Sequence, residues 1–385
     1  MKPLVLALAV GALLALTDGV RAEQFDIPGD FDTVQQALDA VPADSTLVIH
    51  GGTWRELVIT KPVVLVGDPA PLIQIFCGSS QPAIRLDGPG HGAVVLEDVR
   101  VEWTSQAETC GAPPPLIAGS GFDQLLVLSS TVLGSNAIGL DPASGNAAVS
   151  VDVGAVLVAD SVIAGGDSTT CPFCCVGGNC LAPSGSAGLV APTASVTVLD
   201  STVRGGRADD QSFVNTSLSD CPTSCAQLAN AGHGGTGIVA QSVYVANSTI
   251  VGGGGATYTC DTSSLSCPQP AGDPLQAAQV ELLSGSLMAG GAPRLGQDWS
   301  VTWSTSGLVA LLGLSLGVTA PKAFGVQNWL YMDLSNTFVS AVPGAQQSVQ
   351  WTVPHQPELI GVVITLQIFD PGEGLSRPIV VPILP

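Results

Sequence analysis

The chain has 385 residues and a formal net charge of −20, and only 11% of its residues are charged, against roughly 25% in an average domain. So acidic a chain repels nucleic acid and anionic membranes, which excludes both as partners. With 46 Gly and three Lys, the composition also argues against a helical protein and for tightly turned β structure.

Residues 1–22 read as a secretory signal. Lys2 supplies the positive end, Leu4 to Leu16 the apolar core, and Val20-Arg21-Ala22 places small residues where a signal peptidase reads. The core is too short for a membrane anchor, and no Cys stands near the cleavage site for a lipid. The leader marks the chain as secreted, extracellular or on the cell surface. The ten cysteines (Cys77, Cys110, Cys171, Cys174, Cys175, Cys180, Cys221, Cys225, Cys260 and Cys267) are then expected to form disulfides. Cys171-Pro172-Phe173-Cys174-Cys175 with Cys180 has metal-ligand types, but an oxidising compartment favours pairing over metal.

Thr33 to Val41 alternates as one amphipathic helix, with Thr33 and Gln36 as a capping box. Thr46–Glu56 and Leu57–Asp68 supply the first strands. Then a repeat begins. Val94–Asp98, Leu125–Ser129, Val156–Asp160, Val196–Asp200 and Val243–Asn247 align, each ending in a small polar residue, at intervals of 31, 31, 40 and 47. Three residues later stands Val101, Val132, Ile163, Val203 or Ile250, and the last three copies close on Gly165-Gly166, Gly205-Gly206 and Gly252-Gly253. Val-x-Val alternation faces one side of a strand to a core. Asp, Asn and Ser tolerate the left-handed backbone of a tight corner, so Asp98, Asp160, Asp200 and Asn247 read as corner residues and not as a carboxylate site. One coil cannot bury its own face, whereas stacked coils share a core. A third short strand, such as Gly188-Leu189-Val190-Ala191 or Gly237-Ile238-Val239-Ala240, often precedes the corner strand and completes three strands per coil.

The lengthening intervals come from inserts at 167–187 and 207–236, which carry Cys171, Cys174, Cys175, Cys180, Cys221 and Cys225. They leave at the same corner and so stack on one side, ordered by disulfides rather than by apolar periodicity.

From about Ala278 the repeat stops and aromatics rise: Trp299, Trp303, Trp329, Tyr331, Phe338 and Trp351. Alternation in Trp299–Trp303 and Val362–Ile368 predicts half-buried strands of a small β-sandwich. The apolar run Gly307 to Val318 predicts a buried strand pair and not a membrane span.

Phe25-Asp26-Ile27-Pro28 through Val66-Gly67-Asp68 resembles the opening of pectin-lyase-like, right-handed β-helix proteins, and the likeness extends over roughly residues 25 to 265. It implies an all-β fold: a right-handed parallel β-helix of three-strand coils whose N-terminal helix caps the first coil. That superfamily holds lyases, hydrolases, esterases, binding proteins and inert stalks, so the resemblance speaks for fold and not for activity. Leu295-Gly296-Gln297 and Pro357-Glu358-Leu359-Ile360-Gly361 are similar to a C-terminal module of many secreted bacterial proteins. The expected organisation is a signal at 1–22, the β-helix with Cys-rich inserts at 23–277, and the β-sandwich at 278–385.

Candidate catalytic residues are Asp209, Asp210 and His233. An Asp pair followed by Gly-His-Gly, here Gly232-His233-Gly234, resembles polygalacturonase-like hydrolases, where one carboxylic acid protonates the leaving oxygen and a carboxylate activates water. Arg204 and Arg207 stand close enough in sequence to hold a uronate carboxylate. The chain lacks that family's upstream Asn-Thr-Asp and downstream Arg-Ile-Lys elements, and a second Gly-His-Gly, at Gly90-His91-Gly92, shows how readily a Gly-rich chain yields the motif. A Ca2+-dependent lyase would need converging strand carboxylates and a base; Arg85, Asp87 and Asp152 are the candidates, with uncharged Leu116-Ile117-Ala118 at the matching place between them. Ca2+ has no motif of its own, and His50 and His355 lack sequence companions for a metal site. The expected function is a non-catalytic, polysaccharide-binding, secreted β-helix protein; the alternative is a lyase or hydrolase acting on a uronate-containing polymer.

Overall fold

In the computed structural model of the chain, each alternating segment is a short strand hydrogen-bonded in parallel to its counterparts in the repeats before and after. The structure describes residues 23–76, 79–104, 114–134, 146–168, 175–176, 179–180, 184–208, 211–213, 232–260, 265–283, 287–289, 293–305, 309–316, 322–323, 329–332, 337–343, 347–356, 359–371 and 374–383. Val94 in Ala93–Glu97 stands beside Leu125 in Gln124–Leu128, then Val156 in Ala155–Ala159, Val196 in Leu189–Leu199 and Val243 in Ile238–Ala246. The aligned copies therefore share one register. A second row, Leu57–Ile59, Ile84–Asp87, Ile117–Ser120 and Val149–Asp152, joins the same 13-stranded sheet, because Leu189–Leu199 and Ile238–Ala246 run through both rows. A third row, from Thr53–Arg55 to Thr249–Val251, makes a seven-stranded parallel sheet of its own. The chain is all-β and dominated by a long parallel sheet curled around a core of Val, Leu and Ile. Each such side chain fully buried contributes about 1.5–3 kcal/mol over leaving it exposed.

The corners follow from residue type. Asp98, Ser129, Asp160, Asp200 and Asn247 have φ of 45°, 48°, 49°, 47° and 47°, the left-handed region that short polar side chains reach at least cost. The next residue builds a ladder that sequence reading missed. Ser130, Ser161, Ser201 and Ser248 each donate from Oγ to a carbonyl two residues back, at 2.6–2.7 Å. The same hydroxyls accept the backbone N–H of Val99, Ser130, Ser161 and Ser201 from the preceding coil, at 3.1, 2.9, 2.9 and 3.1 Å. Each corner is thereby bonded to the next.

At one end, the helix Val34–Ala40 covers the first coil with Val34, Ala37 and Leu38. Its cap is Thr33, whose Oγ1 accepts the Gln36 N–H at 3.2 Å. At the other end, the parallel pairing runs through Leu282, because Leu275–Leu282 pairs along its length with Ile238–Ala246.

After this point strands pair antiparallel. Met288–Ala289, Asp298–Trp303 and Gln347–Thr352 form one sheet. A second holds Thr337–Pro343, Val309–Leu316, Val363–Asp370, Gly374–Leu375 and Ile379–Pro382. Trp299, Val301 and Trp303 of the first share a core with Leu312, Leu314, Leu366 and Ile368 of the second. The run Gly307 to Val318 is one strand, Val309–Leu316, between two partners and not a strand pair. This part packs on the outer face of the corner strands, where Val95, Leu126, Leu128, Leu157 and Leu199 meet Val363 and Val380. The contact explains why those strands read as unbroken apolar runs: both their faces are buried. Among the described residues no helix is long and apolar enough to cross a membrane.

Candidate functional site

The inserts leave the curled sheet through a neck made of glycine backbone. Gly165 N donates to Arg204 O at 2.9 Å, joining the outgoing chains of two coils. Gly185 N donates to His233 O at 2.8 Å, joining the returning chains. The two layers then bond to one another, Ser186 N to Gly166 O, Gly206 N to Ser186 O, Gly235 N to Gly206 O, Gly253 N to Gly235 O and Gly272 N to Gly253 O, at 2.7–3.1 Å. Backbone lies so close on backbone that a Cβ on Gly206 would stand 1.9 Å from Gly166 O, and one on Gly253 would stand 1.7 Å from Gly206 O. Only glycine fits there, which is why the copies close on paired glycines.

Two of the candidate residues meet at this neck. Asp167 Oδ1 accepts the Arg204 Nη1 at 3.3 Å and the Arg207 backbone N–H at 2.7 Å. Ser168 N donates to Arg207 O at 2.8 Å. The Arg204 and Asp167 side chains are 42% and 35% exposed, so their attraction is solvent-screened and small. The stem of Arg207 lies over Gly254, and among the described residues its guanidinium makes no hydrogen bond. His233 lies on the returning chain, where its N–H donates to Ser184 Oγ at 3.3 Å. Asp209 and Asp210 lie outside the described residues, so the carboxylate half of the hydrolase constellation has no geometry here.

The lyase candidates are spread along the second row. The register puts Ala118 beside Arg85 and Ser120 between Asp87 and Asp152, so Ser120, not the Leu116–Ala118 stretch alone, fills the matching place. Asp152 Oδ1 accepts from Thr193 Oγ1 at 2.6 Å, and Arg85 Nη1 donates to Gln81 Oε1 at 3.2 Å. Both Asp152 and Arg85 are thus met by neutral neighbours. Gly90 and Gly92 both have positive φ, and Asp123 Oδ2 accepts from Gly92 N at 2.9 Å, so Gly90-His91-Gly92 is a turn.

His50 does have companions, which sequence reading missed because they come from distant parts of the chain: Asp26 Oδ1 lies 3.1 Å from its Nε2 and Asp68 Oδ2 3.9 Å from its Nδ1. Among the described residues no group of three or more His, Cys, Asp or Glu could hold a metal ion.

Of the cysteines, Cys77, Cys110, Cys171, Cys174, Cys221 and Cys225 lie outside the described residues. Cys175 stands opposite Cys180 in a two-residue antiparallel ladder. Cys260 and Cys267 lie on the facing strands Thr257–Cys260 and Leu265–Pro268. Cys267 is buried.

The most perturbed acid lies elsewhere. Glu97 is 0% exposed, both of its carboxylate oxygens lack a hydrogen-bond partner, and it sits on the outer face beside Val66 and Leu128 under the antiparallel part. Burial pushes its pKa well above the usual carboxylate range; Asp98 adds to the rise and Arg294 opposes it. Burial likewise raises Asp98 and Asp160, the latter with help from the Asp200 charge.

The fold and neck define an all-β protein on a curled parallel sheet, with the roots of two inserts bonded together through glycine backbone. Compared with known protein families, curated proteins and solved structures, the chain matches none of them.

Proposed function

We propose that this is a secreted, extracellular or cell-surface protein built on a right-handed parallel β-helix with a C-terminal β-sandwich, and that it is non-catalytic and binds polysaccharide through the inserts above its neck. The observation that carries this reading is the place of Arg204 and Arg207 at the root of those inserts, where Asp167 accepts the Arg204 guanidinium and the Arg207 backbone N–H. On a chain with 11 basic against 31 acidic residues, two arginines rooted at one place suit the carboxylates of an acidic glycan. The cysteines pair as disulfides that order the inserts, and the C-terminal module serves as accessory or attachment.

The alternative is a lyase or hydrolase acting on a uronate-containing polymer. It is favoured by the position of Asp209 and Asp210 directly after the arginine segment and of His233 on the chain returning to the same neck. Here Asp210 or Asp209 would act as acid or base, and Ca2+ would be needed only by a lyase.

Size-exclusion chromatography of neutral and acidic polysaccharides after incubation with the purified protein, with Ca2+ present, separates the two. Co-elution of protein with an intact acidic polymer, lost in Arg204→Ala/Arg207→Ala, is the expected result. A polymer that elutes later has been cut, and the enzyme reading then replaces this one. If neither polymer nor protein moves, both fail.

A further inference from the structure

The two ends of the parallel stack are finished differently. The first coil is covered by Val34–Ala40, but among the described residues the last strand, Leu275–Leu282, pairs on one side only, with Ile238–Ala246. Its inward positions continue the core columns: Leu275 follows Ile238, Ala277 follows Ala240, Val280 follows Val243 and Leu282 follows Val245. Where Val243 is 0% and Val245 8% exposed, Val280 is 46% and Leu282 80% exposed. Core side chains thus face solvent beside a row of backbone donors and acceptors that no other described strand pairs. The strand carries none of the usual protection of an edge: no Pro, no Lys, and Glu281 as its single charge.

We propose that this edge binds a second copy of the chain, antiparallel, about a two-fold axis between Ala278 and Gln279. The sequence of the strand selects that partner and that register. Inward positions are odd-numbered up to Ala277 and even-numbered from Val280, because the strand turns the corner between the two rows. In an antiparallel pair, opposite residues share a face, and a slip of one residue sends apolar side chains outward. Only pairing centred on Ala278 and Gln279 lays this change of parity onto itself. It then sets Leu275 against Leu282 of the other copy and Ala277 against Val280, all on the core side, as an isologous interface requires. On the outside it sets the Gln276 amide against Glu281, donor to acceptor, with no charge facing like charge. Head-to-tail stacking is barred by the helix at the other end.

Sedimentation equilibrium of the full mature chain tests this. The wild type is expected to dimerise. Leu282→Arg should weaken association roughly ten-fold or more, because it drives a charge into the apolar seam, and at dilutions where the wild type too is monomeric its melting temperature should match the wild type's, because Leu282 is exposed in the single copy. Gln276→Lys should strengthen association and Gln276→Glu weaken it, each several-fold, since position 276 meets Glu281. A monomeric wild type overturns the proposal. So does a dimer indifferent to Leu282→Arg, and so does a dimer that breaks with Leu282→Arg but ignores both changes at Gln276, since its strands are then not paired in this register.

Discussion

Arg377 donates from Nη1 to both carboxylate oxygens of Asp200, at 3.0 and 2.9 Å. Asp200 is a corner residue of the parallel stack with φ of 47°, and Arg377 belongs to the antiparallel part, so one ion pair joins the two. Arg377 is 7% exposed and also gives its Nε–H to Leu287 O at 3.2 Å. Removing it leaves a buried carbonyl without a donor. Arg377→Met is expected to cost about 1–3 kcal/mol, read as a lowered melting temperature by calorimetry. Asp200→Asn should cost less, since Asn keeps the left-handed corner and Asp200 is partly in solvent.

Glu97 makes stability fall as pH rises. A carboxyl whose folded pKa is raised above its ordinary value, 4.5, is bound to a proton more firmly in the folded chain. Its contribution is complete below that value and is lost as pH climbs through the raised one. Urea titrations of Glu97→Gln across this range should show a flatter pH profile than the wild type and a higher midpoint at neutral pH. An unaltered profile would mean that Glu97 carries no unusual proton.

Ser161 links two coils. It accepts the Ser130 N–H at 2.9 Å and donates to Ala159 O at 2.7 Å, in a buried position. Ser161→Ala strands that N–H and should cost about 1–3 kcal/mol in chemical denaturation. The outlying Asp160→Asn change, which keeps φ of 49° accessible and removes repulsion by Asp200, should cost nothing measurable or stabilise slightly.

The glycine neck discriminates between neighbours. At Gly206 a Cβ would lie 1.9 Å from Gly166 O, whereas at Gly254 the nearest atom is 3.5 Å away, in the Arg207 side chain. Gly206→Ala is expected to lose about 1–3 kcal/mol or more, because backbone on both sides must move. Gly254→Ala should stay within about 0.5 kcal/mol of wild type. Equal losses in thermal melts would show that the neck is not so tightly packed.

What could be read in the sequence was whatever repeats locally. The corner at Asp160 is announced by one short polar residue after Val-x-Val, and its φ obeys that residue's own preference. Thr33 announces its helix in the same way. The serine ladder escaped because a Ser after a corner says nothing by itself; its meaning lies in the N–H of another coil, about 31 residues away, once the register is known. Glu97 escaped for a related reason: its fate is set by the antiparallel part that covers it, of which the only hint was the unbroken apolar run Leu125 to Leu128. The partnership of Asp26 and His50 needed the parallel pairing of Gln24–Ile27 with Ser45–Ile49. At the neck, Arg204 and Arg207 could be named from sequence, while Asp167 as the group that holds them could not.

The neck also frees the chain beyond it from the pitch of the coil. Outgoing and returning segments are clamped to each other by their own peptide groups, so the stretch between them begins and ends at two fixed points. The entropic penalty of a longer excursion grows only as a logarithm, and the repeat spacing has already stretched from 31 to 47 residues with the strand registers intact. Foreign segments spliced between Ser168 and Ser184 would be tethered in the same way, which makes the fold a ready rack for displaying exchangeable peptides side by side.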